Sequence, residues 1–411
     1  MPLISDRLAR LAPSPTVEIT GIALDMKRAG RDVIGLSAGE PDFDTPLHIK
    51  DAAQKAMADG KTKYTQVDGI PELKEAIVRK FARENGIETS VDAVSVGSGG
   101  KQILFNALLA TLNPGDEVLI PTPYWVSFKG IVDLAGGVPV YLPCPFAAGM
   151  KLTPAQLDAA ITPRTKWLIL NSPSNPTGVG YNADELAAFA AILRQHPAVH
   201  VISDDIYEHL CYDGFTFATL ASVAPDLQDR ILTANGVSKS FCMTGWRIGY
   251  CTGPVPLIKA MAKIQSQSTS NPNSIAQYAA VAALDGPMDF MWSNLAAFDR
   301  RRKMVVAALD AIDGIDCPMP DGAFYVYPSI EALIGRRTPD GTIIETDRDF
   351  AQYILQAGEV AIVPGVAFGL EPHFRVSYAA SDEMLDAAMT RIRTAVEALE
   401  QQVINPRKSA S

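Results

Sequence analysis

The chain has 411 residues, 47% of them hydrophobic and 20% charged, enough to bury a large core and to fill two or three domain-sized units. Its net charge of -10 excludes a broad basic nucleic-acid footprint but leaves room for a few buried cations to meet a small anion. Five widely spaced cysteines, none in a C-x-x-C pair, exclude a zinc ribbon and a disulfide framework and suit a reducing cytoplasm.

The amino terminus, MPLISDRLARLAPSP, lacks the apolar centre of an export signal, and no stretch is long and uncharged enough to cross a bilayer. A soluble, unexported protein is expected. Residues 1–45 end in the turn-rich GEPDFDTP and are expected to pack on a small closing domain. From 46 to 299, β-branched runs alternate with helical patterns: Val94 to Val96, Val118 to Ile120, Val138 to Tyr141, Trp167 to Leu170, Val199 to Ile202, Ile231 to Thr233 and Ile248 to Cys251. That alternation is the signature of an α/β domain. Several runs are apolar at consecutive positions, as in strands buried on both faces of a mostly parallel sheet. Residues 300–411 read as a smaller α+β domain. A long amphipathic helix is predicted from Leu295 to Ile312, and Ser381 opens another, with Asp382 and Glu383 at the positive end of its dipole. Phe324 to Tyr327 and Phe374 to Ser377 are the short strands between them.

The chemistry-bearing segments follow the strands. In SVGSGGKQILFNA a Gly-rich turn leads into a helix, so amides around Gly99 and Gly100 can face a phosphate. A tight βα turn is the plainer reading, and neither the Walker A pattern nor G-x-G-x-x-G is matched, Gln102 standing where the last glycine would be. In PTPYWVSF, Trp125 lies just past a strand end and could stack on an aromatic ring or fill the core. NSPSNPTG must leave the sheet abruptly at Pro173 and Pro176, which would project Asn175 toward the strand ends as a ligand contact or a simple turn residue.

VISDDIYEHL ends a strand with Asp204 and then Tyr207. A carboxylate there can pair with a protonated pyridine nitrogen, or merely cap the next helix; Asp205 is its rival, and its bland reading is solvent-facing. NGVSKSFCMTGWRIGYCTG is the most informative segment. Lys239 follows a strand, where partial desolvation favours the neutral, nucleophilic amine, and Arg247 opens the next strand, able to clamp a phosphate. In HFRVSYAA, Arg375 sits among apolar neighbours, a costly place unless it meets an anion, either a substrate carboxylate or an internal acid.

Taken together, GLSAGEPDFDTP, KYTQVDGIPELKEAI, GGKQILFNA, PYWVSF, NSPSNPTG, SDDIYEHL, SKSFCMTGWRIGY and FRVSYA, in this order over nearly the whole chain, resemble the class I aminotransferases of fold type I. Among them the match is to bacterial aspartate aminotransferases lacking the mammalian-type substrate arginine. The resemblance implies a mostly parallel seven-stranded sheet flanked by helices, a smaller α+β domain, pyridoxal 5'-phosphate as cofactor, and a homodimer with shared sites. It implies that Lys239 bonds the cofactor's aldehyde, that Asp204 holds the pyridine nitrogen, and that Tyr207 and Asn175 bond the phenolic oxygen. Trp125 would stack on the ring, while Ser238, Arg247, the Gly99 to Lys101 backbone and Tyr64 of the other subunit would grip the phosphate. Arg375 and the Gly39 amide would take the α-carboxylate.

Where mammalian-type relatives carry an arginine, IQSQSTSNP offers Gln265, Ser266 and Gln267, and Lys101 takes that role in this subgroup, consistent with aspartate and 2-oxoglutarate as substrates. Gly236 replaces a hydroxyl found in many relatives, implying a phosphate grip weaker by about 1 kcal/mol. Members that also aminate prephenate often carry a basic residue before the amino-terminal Pro-Ser; here Ala12 precedes Pro13, so the sequence lends that activity no support. Rival readings are an aromatic or alanine aminotransferase, a β-lyase, and a non-catalytic regulator, the last disfavoured because no basic helix-turn-helix segment precedes the domain.

Overall fold

The computed structural model describes residues 3–5, 8, 11 and 15–400. The contrast at Ala12 and Pro13 therefore lies outside the described residues. The strands are β1 (Ile34–Gly35), β2 (Val94–Gly97), β3 (Glu117–Thr122), β4 (Val138–Pro143), β5 (Thr165–Asn171), β6 (His200–Asp204), β7 (Ile231–Gly236), β8 (Gly249–Thr252), β9 (Tyr325–Val326), β10 (Val360–Ala361), β11 (Val363–Pro364) and β12 (Phe374–Ser377). By internal contacts the chain divides into one unit of residues 1–12, 40–297 and 321–323 and another of 13–39, 298–320 and 324–411. No helix among the described residues is long and apolar enough to cross a membrane.

The first unit is built on a seven-stranded sheet in the order β2-β8-β7-β6-β5-β3-β4. The pairs from β4 to β7 are parallel, and only β8 runs against its neighbours. Consecutive apolar residues serve two cores, because side chains alternate across a strand. In β5, Trp167 and Ile169 enter one cluster with Ile103, Leu104 and Leu108 of the helix Gly100–Thr111. Leu168 and Leu170 enter the other, with Leu186, Phe189 and Leu193 of the helix Ala183–Gln195. That double burial is why the strands read as unbroken apolar runs rather than as alternating ones.

The second unit holds the pair β1-β10, the antiparallel sheet β11-β12-β9, and the helices Pro15–Arg28, Asp347–Ala357 and Asp382–Glu397. Ser381 caps the last helix by accepting from the Met384 amide. Two sequence expectations shift. The strand around Phe324 shrinks to Tyr325–Val326, and the long helix begins at Asp289 rather than Leu295, ending at Asp310. Its opening turn carries Phe290 and Met291, which pack into the core of the first unit and so depart from the apolar stripe that marks its later turns.

Candidate active site

Because β2, β3, β5, β6 and β7 run the same way, their carboxyl ends share one edge of the sheet, where open α/β sheets bind ligands. The register sets the order along it: Asn171 pairs with Asp204, Asp204 with Ala234, and Gly249 lies between Gly236 and Gly97. The segments carrying Gly99 to Lys101, Trp125, Asn175, Asp204 to Tyr207 and Ser238 to Lys239 all leave from this edge, and Arg247 precedes the antiparallel β8 at the same end.

Asp204 closes β6 and is 8% exposed. Burial pushes its carboxyl up to about 7, opposed by the Ile206 backbone amide and the charge of Lys239. Its own carbonyl accepts from Asn171 Nδ2 at 2.9 Å, and Asn171 Oδ1 accepts from the Asn175 amide at 2.9 Å. Asn171 thus ties the buried Asn175 to the Asp204 strand end, a connecting role that the motif NSPSNPTG did not reveal. Tyr207 is also buried. Asp205 is neither solvent-facing nor a rival for the edge. Consecutive residues alternate sides, and Asp205 is buried with its carboxylate accepting from Ser203 Oγ at 2.7 Å.

Lys239 is half-buried two residues beyond Val237, next to the buried Ser238. Arg247 adopts a left-handed conformation, φ 58°, that turns its guanidinium back, with Nη1 donating to Thr244 O at 2.9 Å. The guanidinium lies directly over Gly99, where a Cβ would collide with it; Gly99 also has φ 89°, a backbone conformation costly for any other residue. Gly99 is the N-cap of the helix Gly100–Thr111 and offers no side chain to its free amides. Gln102, which breaks the dinucleotide fingerprint, instead buttresses this turn: its Oε1 accepts from the Ser98 amide at 2.6 Å and its Nε2 donates to Thr269 at 2.6 Å.

Lys101 Nζ lies 5.2 Å from the centroid of the Trp125 ring, which is half-buried and meets Phe128 edge-on at 5.4 Å. Trp125 is thus at the edge rather than in the core. Burial, and then the positive charge of Arg247, lower the Lys101 ammonium below its ordinary value. Gln265 does not face the site: its Nε2 donates to the carbonyls of Val67 and Val96, and its Oε1 accepts from Asn106. Tyr64 is 91% exposed on the first unit.

In the second unit, Arg375 is 5% exposed, with its guanidinium 4.6 Å from the Tyr325 ring and 5.0 Å from the Phe368 ring, and Nη2 donating to Ser37 O at 2.6 Å. Gly39 lies against the Tyr325 hydroxyl, with no room for a Cβ. Tyr325 therefore brings Arg375 and Gly39 together.

The residues of the sheet edge suit pyridoxal 5'-phosphate. A buried carboxyl half-protonated near neutrality would be returned to its charged form by a ring N–H cation. Helix amides with no side-chain cap, a guanidinium folded over glycine, and a half-buried amine answer a phosphate and an aldehyde.

Comparison with known proteins agrees. A family model described as "Aminotransferase class I and II" matches residues 31–392. The chain is 59% identical over 393 residues to an aspartate/prephenate aminotransferase of Cereibacter sphaeroides, covering 96% of this chain and 98% of that protein. The crystal structure of an aspartate aminotransferase from Rhizobium meliloti superposes with a TM-score of 0.95 at 52% identity, covering 97% of this chain and 100% of that one. A Thermus thermophilus aspartate aminotransferase with maleate gives 0.89 at 43%, covering 96% and 100%.

Proposed function

Since the chain belongs to the class I and II aminotransferases, which depend on pyridoxal 5'-phosphate, we propose that it passes the amino group of L-aspartate to 2-oxoglutarate, giving oxaloacetate and L-glutamate in a ping-pong cycle. The observation that carries the dicarboxylate preference is Lys101, a cation beside the Trp125 ring on the edge from which Lys239 projects. The names of the relatives and the maleate on the Thermus thermophilus protein support the same reading.

When bound, the cofactor's ring supplies an electron sink for the pair left by the substrate Cα–H bond. Asp204 would hold the pyridine nitrogen, Tyr207 and Asn175 the phenolic oxygen, and Trp125 a face of the ring. Ser238, Arg247, the Gly99 to Lys101 backbone and Tyr64 of a second copy would hold the phosphate. The exposure of Tyr64 suits such a homodimer. Arg375 and the Gly39 amide would orient the substrate by its α-carboxylate, Lys101 by its second one. Lys239 Nζ would then take the proton from Cα. The five free thiols suit a reducing cytoplasm.

The test is turnover with aspartate, tyrosine and alanine in turn. Aspartate with 2-oxoglutarate is expected to have the highest kcat/KM, and Lys101→Ala should lower it about tenfold or more, as loss of a charged hydrogen bond does, with alanine unaffected. A preference for tyrosine would overturn the assignment. A second reading, amination of prephenate at the same site, is favoured by the name of the 59% identical relative and is read by adding prephenate as acceptor.

A further inference from the structure

Joined to both ends of the segment that carries Lys239 is a chain of buried and half-buried polar groups that no step above uses. Lys80 has no exposed surface; it pairs with Glu208 and lies 3.5 Å from Glu84 Oε2. Lys80 also donates to Asn85 Oδ1 at 2.7 Å, and Asn85 Nδ2 donates to Glu208 Oε2 at 2.6 Å. On one side, Glu208 Oε1 accepts from Asn235 Nδ2 at 2.7 Å, while Asn235 Oδ1 accepts from the Gly236 amide at 2.7 Å. On the other side, His209 Nε2 lies 3.0 Å from Glu84 Oε2, and Nδ1 lies 3.0 Å from Ser240 Oγ. Burial pushes the Glu84 carboxyl up, but the His209 hydrogen bond and the Lys80 charge outweigh it and hold it at about 2. The ligand atoms of Glu84, Glu208 and His209 lie within 4.8 Å of one another, a spacing a metal ion could use. Here the Lys80 ammonium, near both carboxylates, already supplies the cation.

This network holds both ends of the stretch that bears Lys239: Asn235 through Glu208, and Ser240 through His209. Glu208 and His209 directly follow Tyr207, on the segment that begins at Asp204. We propose that His209, bridging Ser240 to the cluster of buried Lys80 and Glu208 with half-buried Glu84, is a positioning residue that sets the Lys239 amine in register with Asp204 and Tyr207. An imidazole suits the task because it has two nitrogens on opposite sides. Nε2 meets the Glu84 carboxylate while Nδ1 meets the Ser240 hydroxyl, which can donate or accept. A reacting group that depends on such support loses rate when the support slips by a fraction of an ångström.

The proposal rests on the aminotransferase reading, and its test separates the two. Holoenzyme reconstituted with pyridoxal 5'-phosphate is titrated with pH while its visible absorbance band is followed, and kcat and KM for aspartate are measured. The variants are Ser240→Ala, His209→Gln, which can reach Glu84 but not Ser240, and His209→Asn, which keeps a partner where Nδ1 was. Ser240→Ala and His209→Gln should lower kcat about tenfold with KM little changed, as loss of orientation does. They should also move the midpoint of the band by about half a pH unit or more, the scale of a lost hydrogen bond. His209→Asn, which keeps the Ser240 contact but loses the Glu84 one, should recover only part of both. A wild-type band whose midpoint neither variant moves would overturn the clamp alone. So would kcat losses that merely follow a lowered melting temperature in all three variants. A wild type with no visible band would overturn the aminotransferase reading as well.

Discussion

Asp204 shows what burial does to one carboxyl and what that makes available. Its value is pushed up to about 7, above the ordinary value near 4, so the folded cofactor-free protein holds a proton there that the unfolded chain gives up. A group raised in this way stabilises the fold fully below the unfolded value and loses that contribution as pH climbs from about 4 through 7. Removing it with Asp204→Asn should make the fall in stability over that window shallower by up to about 1.4 kcal/mol per pH unit, read from denaturant unfolding of the cofactor-free protein. An unchanged slope would mean that Asp204 is charged throughout. Asp205 is raised to about 7 by the same cause and would keep its own part of the slope. The DD pair exposes a limit of reading residues singly. Two adjacent acids at a strand end must point to opposite sides, and only the placement of Ser203 decides which of them is tied away. The Lys80, Glu84, Glu208 and Asn235 cluster was illegible for a related reason, since its members come from distant segments and meet only after folding. A weak signal was there, a lone Asn in the apolar strand ILTANG and a Lys on the buried stripe of the helix Pro71–Lys80.

At the scale of elements, six of the seven strands were legible because burial on both faces leaves continuous apolar runs bounded by turns, whereas the edge strand β4, with Val138 and Tyr141 exposed, was legible by its β-branched residues alone. The helix Asp289–Asp310 was misjudged at its start because its opening turn packs on a different core from the rest. The glycine row at the sheet edge was only partly legible. Gly99 stood in a recognisable turn, whereas Gly249 looked like an ordinary strand glycine. In the structure the helix Gly100–Thr111 rests directly on it, and a Cβ there would lie 2.7 Å from Gly100 Cα and closer still to the neighbouring backbone. Backbone cannot swing aside as a side chain does, so Gly249→Ala should displace the helix N-terminus. The expected result is a stability loss of about 1–3 kcal/mol, as for other overpacked sites, together with weaker binding of pyridoxal 5'-phosphate in equilibrium dialysis. Wild-type affinity in this variant would show that the helix amides do not hold the phosphate. Gly236 is less confined, but two of its nearest neighbours, Ile248 O and Gly249 Cα at 3.1 and 3.2 Å from a built Cβ, are backbone, so a side chain there would need the strand to give slightly.

For the molecule as a whole, net charge points the wrong way if read alone. A chain at -10 places Lys101, Lys239 and Arg247 at one end of a sheet, and on the proposed function this local concentration, not the total, would select anionic ligands. The α/β class could be read from the alternation of elements, and the family from eight motifs in order. Five of those motifs follow strands of the large sheet, and a parallel sheet must bring the ends of its strands to one edge. All of these assignments turn on Lys239 being the amine that bonds the cofactor. The direct measurement is to reconstitute the protein with pyridoxal 5'-phosphate, reduce it with borohydride, digest it and locate the added mass. The account predicts one stable adduct, on the peptide containing Lys239, absent from a Lys239→Ala control. An adduct centred on another lysine, or none at all, would contradict it.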